Sequence, residues 1–278
     1  MQIRWLWLSI LPAIFSCSKS SSNQNAPAVN PPLTPPPVVK PYQLVWDDEF
    51  DSPGKPDSSK WTYDIGMGFN GWGNQEQEYY TDSSSNLRVE NGNLVISAKN
   101  ENYTGASYTS GRLVSRGKAQ WTYGKFEIRA RLPRGVGTWP AIWLLSATQP
   151  LSWPADGEID IMEEVGFDSL NVHGTCHNQT YFGANGKGSK VNVPNLADSF
   201  HVFSVEWTGS QISWAVDSAI YYTYTNPGSG FAVWPYDLDF YIILNLAIGG
   251  SWGGQQGIDN AVFPQQMLVD YVRIYQRK

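Results

Sequence analysis

Long amphipathic helical patterns, internal repeats and cysteines are scarce or missing in this 278-residue sequence. Without helical periodicity an α/β fold is excluded, and without a fixed period so is a repeat array. Two cysteines are too few for a disulfide framework. Basic residues are also few, since 19 Lys and Arg stand against 25 Asp and Glu, giving a net charge of −6. That balance argues against nucleic acids and anionic membrane surfaces as partners.

Aromatic residues are abundant instead, with 13 Trp, 15 Tyr and 11 Phe. Sugar rings stack their C–H faces on aromatic planes, so this composition is typical of carbohydrate-binding proteins. Large β-sheet cores also use many aromatic side chains. Composition alone leaves both interpretations open.

The first 40 residues are predicted to lie outside the folded domain. Residues 1–17 combine the basic Arg4 with a short apolar run and end in Ile-Phe-Ser-Cys, which resembles a bacterial lipoprotein box with Cys17 as the lipidated residue. An ordinary secretory signal is the alternative, and both predict export, to the periplasm or the cell surface. Residues 18–40 hold six of the 18 prolines and indicate an extended linker. Cys176 is then the second thiol, interpreted as a small buried side chain.

Residues 41–278 show many short alternating or apolar runs separated by Gly, Asn, Asp and Pro. This punctuation predicts an all-β fold, a sandwich or a barrel, in one domain. Predicted strands include 93–98, 124–132, 139–145, 202–207, 212–216, 241–246 and 267–275.

The most informative segment is Glu-Ile-Asp-Ile-Met-Glu-Glu at 158–164. Its alternation predicts a strand with Glu158 and Asp160 on one face and isoleucines on the other. Carboxylates as near to each other as these are costly because they repel, unless they perform chemistry, bind a metal or meet a cation. A regular strand adds Glu164 to the acidic face, whereas a β-bulge near Met162 adds Glu163. Periodicity does not choose between them.

The run from Glu158 to Glu163 resembles the active-site signature of glycoside hydrolase family 16, in the longer form of its laminarinase-like branch. Further segments match that family in order: 44–50, 71–80, 86–98, 137–144, 200–207, 245–252 and 263–276. The resemblance implies a concanavalin A-like jelly-roll β-sandwich of two curved antiparallel sheets with a concave cleft. It also implies retaining hydrolysis of β-1,3-glucans, with mixed-linkage glucan or agarose as alternative substrates. A non-catalytic carbohydrate-binding sandwich is the competing class.

Carried onto this sequence, the resemblance makes Glu158 the nucleophile, Glu163 the acid/base and Asp160 the residue that tunes the nucleophile. Glu164 is then expected to point into the opposite layer or a loop, as a solvated or Arg-paired bystander. The resemblance also implies sugar contacts by Asn74, Arg116, Trp139, Trp143, His173 and Trp252. For Arg116 the alternative role is an ordinary ion pair. For Trp139 and Trp143 the alternative is core packing.

Metal ligands are expected only in a structural role. His173 and His177 are four residues apart in a predicted strand, a spacing that converges on zinc only in a helix, so no catalytic cofactor is expected. The resemblance implies a structural Ca²⁺ held by the main chain or side chain of Glu49, the carbonyl of Gly92 and Asp270, with an ordinary surface acid as the alternative for Asp270. The expected partner is a β-glucan, met by a monomer that touches the membrane only through its lipid.

Overall fold

Seventeen β-strands make up nearly all the regular structure of residues 40–278, the part of the chain that the computed structural model describes. These residues form one compact unit. The predicted signal peptide, Cys17 and nearly all of the linker lie outside the described residues. The first nine strands are β1 Tyr42–Asp48, β2 Thr62–Tyr63, β3 Glu78–Tyr80, β4 Leu87–Glu90, β5 Asn93–Tyr103, β6 Ala106–Ser110, β7 Arg112–Val114, β8 Gly124–Arg131 and β9 Thr138–Ser146. The other eight are β10 Glu158–Glu163, β11 Asn171–His177, β12 Lys187–Asn192, β13 His201–Trp207, β14 Gln211–Val216, β15 Ala219–Thr225, β16 Phe240–Ile248 and β17 Gln265–Arg277.

The strands form two sheets, as the sequence predicted. The ten-stranded sheet runs β15-β14-β13-β8-β17-β5-β6-β3, with β1 beside β17 and β4 beside β5. The seven-stranded sheet runs β12-β11-β10-β9-β16-β7-β2. Every strand pair is antiparallel except β3 with β6, which is parallel and so departs from the predicted all-antiparallel arrangement. Short helical turns at Gly71–Gln75, Gly183–Asn185 and Asn260–Val262 complete the regular structure of the described residues.

Alternation along the strands explains how the sheets pack. In β8 every second residue from Gly124 to Ala130 is buried, and β16 is buried on both faces. The core includes the fully buried Trp61, Trp207 and Trp214, so part of the aromatic excess is core material. Within residues 40–278 no helix is long and apolar enough to cross a membrane.

Candidate active site

Strand β10 carries the acids and contains a β-bulge. Its pairing with β11 shifts register between Asp160 and Glu163, and its pairing with β9 shifts between Asp160 and Met162. Ile161 and Met162 are therefore both buried, although they are adjacent. The extra residue brings Glu163 to the face of Glu158 and Asp160. The open choice between Glu163 and Glu164 is thus decided in favour of Glu163.

A tryptophan of the opposite sheet supports the bulge from beneath. Trp214 in β14 is fully buried, and its Nε1 donates a hydrogen bond of 2.7 Å to the main-chain oxygen of Asp160. A buried indole N–H needs an acceptor, and a carbonyl beside a bulge needs a donor. The two sheets are therefore joined at the position where the acid strand changes register.

The three acids line a cleft of about 880 Å³ on the outer face of the seven-stranded sheet. The side chains predicted to contact sugar, with the exception of Arg116, also line it: Asn74, Trp139, Trp143, His173 and Trp252. One wall carries Trp252, whose ring meets Trp139 edge to face at 5.5 Å and His173 at 4.9 Å. The sequence prediction thus placed these five residues in the same cleft as the acids.

Glu158 and Glu163 each accept a hydrogen bond from a different tryptophan. Trp153 Nε1 donates to Glu158 Oε2 at 2.9 Å, and Trp139 Nε1 donates to Glu163 Oε1 at 3.0 Å. These bonds fix the direction of each carboxyl group while leaving its other oxygen for substrate. Trp139 therefore acts as a support for Glu163 as well as a wall of the cleft.

Burial and crowding raise the pKa values of both glutamates. For Glu163, burial acts first and the charge of Asp160 second, and the pKa lies well above the ordinary carboxyl value. For Glu158 the same causes raise the pKa to about 8, opposed by His177 and Trp153. For two such neighbouring acids, the state with one carboxyl group protonated is more stable than the state with both ionised. A carboxyl group with a raised pKa can donate a proton near neutral pH, and both glutamates meet that condition.

His177 belongs to the site, although the sequence analysis considered it only as a zinc ligand. Its Nε2 lies 3.1 Å from Asp160 Oδ2 and 3.7 Å from Glu158 Oε1. Burial acts to lower the pKa of His177, but Asp160 and the two glutamates outweigh it and raise the pKa to about 9. A protonated imidazole thus supplies positive charge to the crowded acids. The sequence did carry a signal for His177, because alternate residues of a strand share a face and His173 was already expected in the cleft.

These groups also form the one cluster of three potential metal-ligating side chains found in residues 40–278. Ligand atoms of Glu158, Asp160 and His177 all lie within 4.8 Å of one another. Because the imidazolium already sits against Asp160, the cluster is accounted for as an ion-paired acid group.

Arg116 is placed differently from the prediction that it contacts the sugar. Its guanidinium pairs with Asp64 and bonds the Tyr241 hydroxyl at 3.3 Å, and it does not line the cleft. The ion-pair alternative is therefore what the structure shows. Arg112 lines the cleft instead, with its guanidinium 4.5 Å from the Trp72 ring centroid. Only the folded loop reveals this stacking, so the sequence held no signal for it.

Glu164 contradicts the expectation of a solvated or Arg-paired acid. The residue is 1% exposed, and neither carboxylate oxygen has a hydrogen-bond partner among the described residues. Burial, with a smaller contribution from Asp168, raises its pKa to about 8. The bulge turns Glu164 away from the cleft, into the protein. This carboxyl group is therefore mostly neutral at neutral pH and does not line the cleft.

We expect Glu164→Gln to stabilise the domain at neutral pH. The unfolded carboxyl ionises near 4.5 but the folded one only near 8, so the native state is penalised increasingly as pH rises from 4.5 to 8. At pH 7 the penalty is about 3 kcal/mol, and the neutral amide removes it. Denaturant unfolding at pH 4 and pH 7 measures the difference. An equal effect of the substitution at both pH values would contradict the assigned pKa.

Comparison with known proteins agrees with this geometry. A sequence profile described as "Glycosyl hydrolases family 16" matches residues 74–273. The chain belongs to glycosyl hydrolase family 16. It is 48% identical over 277 residues to a beta-glucanase of Rhodothermus marinus, covering 96% of this chain and 92% of that one.

Solved structures of family 16 members show the same fold. The laminarinase of Rhodothermus marinus matches with a TM-score of 0.82 and 50% identity, covering 85% of this chain and 98% of that one. SCLam, described as a non-specific endo-beta-1,3(4)-glucanase, matches with a TM-score of 0.82 and 45% identity, covering 87% and 95%. The predicted jelly-roll sandwich is confirmed, and this family 16 chain is a glycoside hydrolase.

Proposed function

We propose that this chain is an endo-acting β-1,3-glucanase that cleaves laminarin-like polysaccharides with retention of configuration. The observation that carries the proposal is the bulged strand, which puts Glu158, Asp160 and Glu163 on the floor of one tryptophan-lined cleft. A cleft open to solvent accepts a chain in its middle, as endo-cleavage requires. The similarity to the Rhodothermus laminarinase supports the choice of glucan.

The reaction follows from the two glutamates. Glu163 donates its proton to the glycosidic oxygen while Glu158 attacks the anomeric carbon, forming a glycosyl-enzyme and releasing one part of the chain. Glu163, now ionised, removes a proton from water, which attacks the same carbon and frees Glu158. Asp160 and His177 set the charge around Glu158. The proposed reaction uses no cofactor.

A parallel assay of reducing ends tests the substrate. We expect release from laminarin to exceed release from lichenan, agarose and carrageenan, with products of several lengths from the first minutes. Proton NMR of the first product should show the β-anomer, the sign of retention. Absence of reducing ends from laminarin would overturn the proposal.

Mixed-linkage β-1,3-1,4-glucan is the second candidate substrate. The observation in its favour is the similarity to SCLam, whose description names both linkages. Comparable rates on lichenan and laminarin in the same assay would support it. Because hydrolysis of either glucan uses the same acids, the mechanism is the same for both.

A structural Ca²⁺ away from the cleft is part of the proposal. Asp270 follows Val269, which pairs with Leu94 of β5, and precedes Val272, which pairs with Asp48 of β1. Its Oδ2 accepts from Arg129 at 2.5 Å, so Oδ1 is its available ligand. Both Glu49 carboxylate oxygens accept from Arg273, at 2.7 and 2.8 Å, so its main-chain oxygen is the available ligand. Oδ1 of Asn93 is buried without a partner among the described residues. Such oxygen groups suit calcium, and calorimetric titration with Ca²⁺ tests for binding.

We also propose that the protein is exported and anchored by a lipid on Cys17. The basic start, the short apolar run and the Ser-Cys junction support this, and the proline-rich segment gives the domain reach from the membrane. Loss of the protein from the membrane fraction after Cys17→Ala would support the lipid anchor. An unchanged amount of protein in that fraction would exclude it.

A further inference from the structure

A second pair of acids lies beneath the cleft, apart from the catalytic strand. Glu76 is 7% exposed and lines the cleft, whereas Glu78 at the start of β3 is fully buried. Neither residue belongs to the reaction proposed above. Two buried carboxylates two residues apart repel each other unless a proton or a cation intervenes.

The two carboxyl groups act on each other's ionisation. A proton that Glu78 carries and donates to Glu76 lowers the pKa of Glu76 and raises the pKa of Glu78. Oε2 of Glu78 accepts from the Ile248 amide at 2.6 Å, whereas Oε1 is buried and accepts no hydrogen bond from the described residues. A hydrogen bond between two carboxyl groups requires one proton, and the arrangement of donors assigns it to Glu78.

Electrostatics support the same assignment. Burial raises the pKa of Glu78 well above the ordinary carboxyl value, and the charge of Glu76 adds to the effect. Burial also raises the pKa of Glu76, but Arg112 and hydrogen bonds from its neighbours oppose it. The titratable groups facing the pair are Arg112, itself paired with Asp64 at 3.1 Å, and Tyr80, whose pKa burial raises further.

Ionised Glu76 organises one wall of the cleft. Its Oε2 accepts from the Tyr80 hydroxyl at 3.0 Å, and its Oε1 from Asn74 Nδ2 at only 3.4 Å. Asn245 Nδ2 donates to the Tyr80 oxygen at 3.1 Å, and Trp143 Nε1 donates to Asn245 Oδ1 at 2.7 Å. A continuous chain of hydrogen bonds therefore runs from the acid pair to the ring of Trp143.

The pair also holds the loop that carries Trp252. Ile248, bound by Glu78, is the last residue of β16 before that loop. Glu76 forms a backbone bridge with Gly249, and Ser251 N donates to the Asn74 oxygen at 2.7 Å. One buried proton thus connects the polar floor of the cleft with its aromatic wall.

We propose that Glu76 and Glu78 are a proton-sharing carboxyl pair that recognises sugar. Glu76 accepts hydrogen bonds from sugar hydroxyls through its weakly used Oε1, and Glu78 is the positioning residue. The inference rests on the proposed glucanase function. Loss of the proton puts two charges side by side, breaks the bond and loosens Asn74 and the Trp252 loop. Substrate binding therefore weakens as pH rises through the ionisation of the pair.

Substitutions at Glu78 test the pair on the full chain with laminarin. In Glu78→Gln, the new side chain has an amide to donate to Glu76 and an oxygen to accept from Ile248 at every pH. We expect KM of the unaltered chain to rise with pH about tenfold more than KM of Glu78→Gln, because the groups beside Glu158 titrate alike in both chains and only the unaltered chain loses the shared proton. Glu78→Leu should raise KM about tenfold already at pH 6, with a smaller change in kcat. Glu90→Gln, at an exposed hairpin, is the matched control for loss of one carboxyl group.

Several outcomes would overturn the inference. Parallel KM profiles for the unaltered chain and Glu78→Gln would show that no shared proton sets binding, and this comparison holds even if Glu78→Leu does not fold. A loss in Glu78→Gln confined to kcat would place Glu78 in catalysis or general packing instead. If the unaltered chain releases no reducing ends from laminarin at any pH, the proposed function fails, and the inference fails with it.

Discussion

Glu158→Gln will reduce laminarin turnover by at least about 10⁴-fold, equivalent to about 5.5 kcal/mol of transition-state stabilisation. The amide is close in shape to the carboxyl group but is too weak a nucleophile to form the glycosyl-enzyme. Its carbonyl still accepts from Trp153 Nε1, which bonds Glu158 at 2.9 Å in the unaltered chain. We therefore expect the loss to fall on kcat and the cleft to keep its shape.

Initial-rate kinetics and calorimetric binding of a laminari-oligosaccharide separate these effects. Intact binding with abolished turnover is the expected result, and Glu158→Ser should behave alike. The unfolding midpoint should stay the same or rise, because burial and Asp160 make a charge at this position unfavourable. Wild-type activity in either variant would show that Glu158 is not the nucleophile.

Glu163→Gln will reduce turnover of laminarin by roughly 10²- to 10⁴-fold, since the leaving sugar oxygen then departs without a proton. A dinitrophenyl β-laminaribioside has a leaving group that needs no proton. Formation of the glycosyl-enzyme from it should therefore be nearly normal, seen as a burst of dinitrophenol in stopped-flow absorbance. Azide, an anion that attacks without a base, should restore turnover of the intermediate.

The neighbouring Glu164→Gln is the matched control for that experiment. Both substitutions change a glutamate to a glutamine at adjacent positions, but Glu163 is partly exposed and lines the cleft, whereas Glu164 is buried away from it. Glu164→Gln should keep laminarin activity and show no azide effect. If Glu164→Gln were the inactive variant and Glu163→Gln the active one, the acid/base would be Glu164 and the bulge assignment would be wrong.

The parts of the fold that depend on local alternation could be predicted from the sequence. Predicted strands such as 124–132 and 202–207 appear as β8 and β13, because one face of each strand is buried and the turns between strands have their own residue types. The parallel pairing of β3 with β6 was missed, since alternation does not encode which strands become neighbours.

Within the site, the residues that could be predicted are those whose position on a strand face follows from the local sequence. Glu158 and Asp160 follow from alternation, but the choice of Glu163 needed the bulge, which depends on packing against the opposite sheet. Arg112 was missed because its stacking on Trp72 depends on a distant loop. Arg116 was expected in the cleft but forms the ion pair that was its alternative role. The direction of Glu164, away from the cleft, was expected, but its burial without an ion pair was not, because burial depends on packing around the bulge.

The bulge in β10 has a consequence at the level of the gene. Ile161 and Met162 both point into the core, so the strand uses two codons where a regular strand would use one. An in-frame loss of the Met162 codon would leave Glu158, Asp160 and Glu163 in strict alternation, still on one face. Acid spacings of four or five residues in a sequence can therefore encode the same arrangement of carboxyl groups in space.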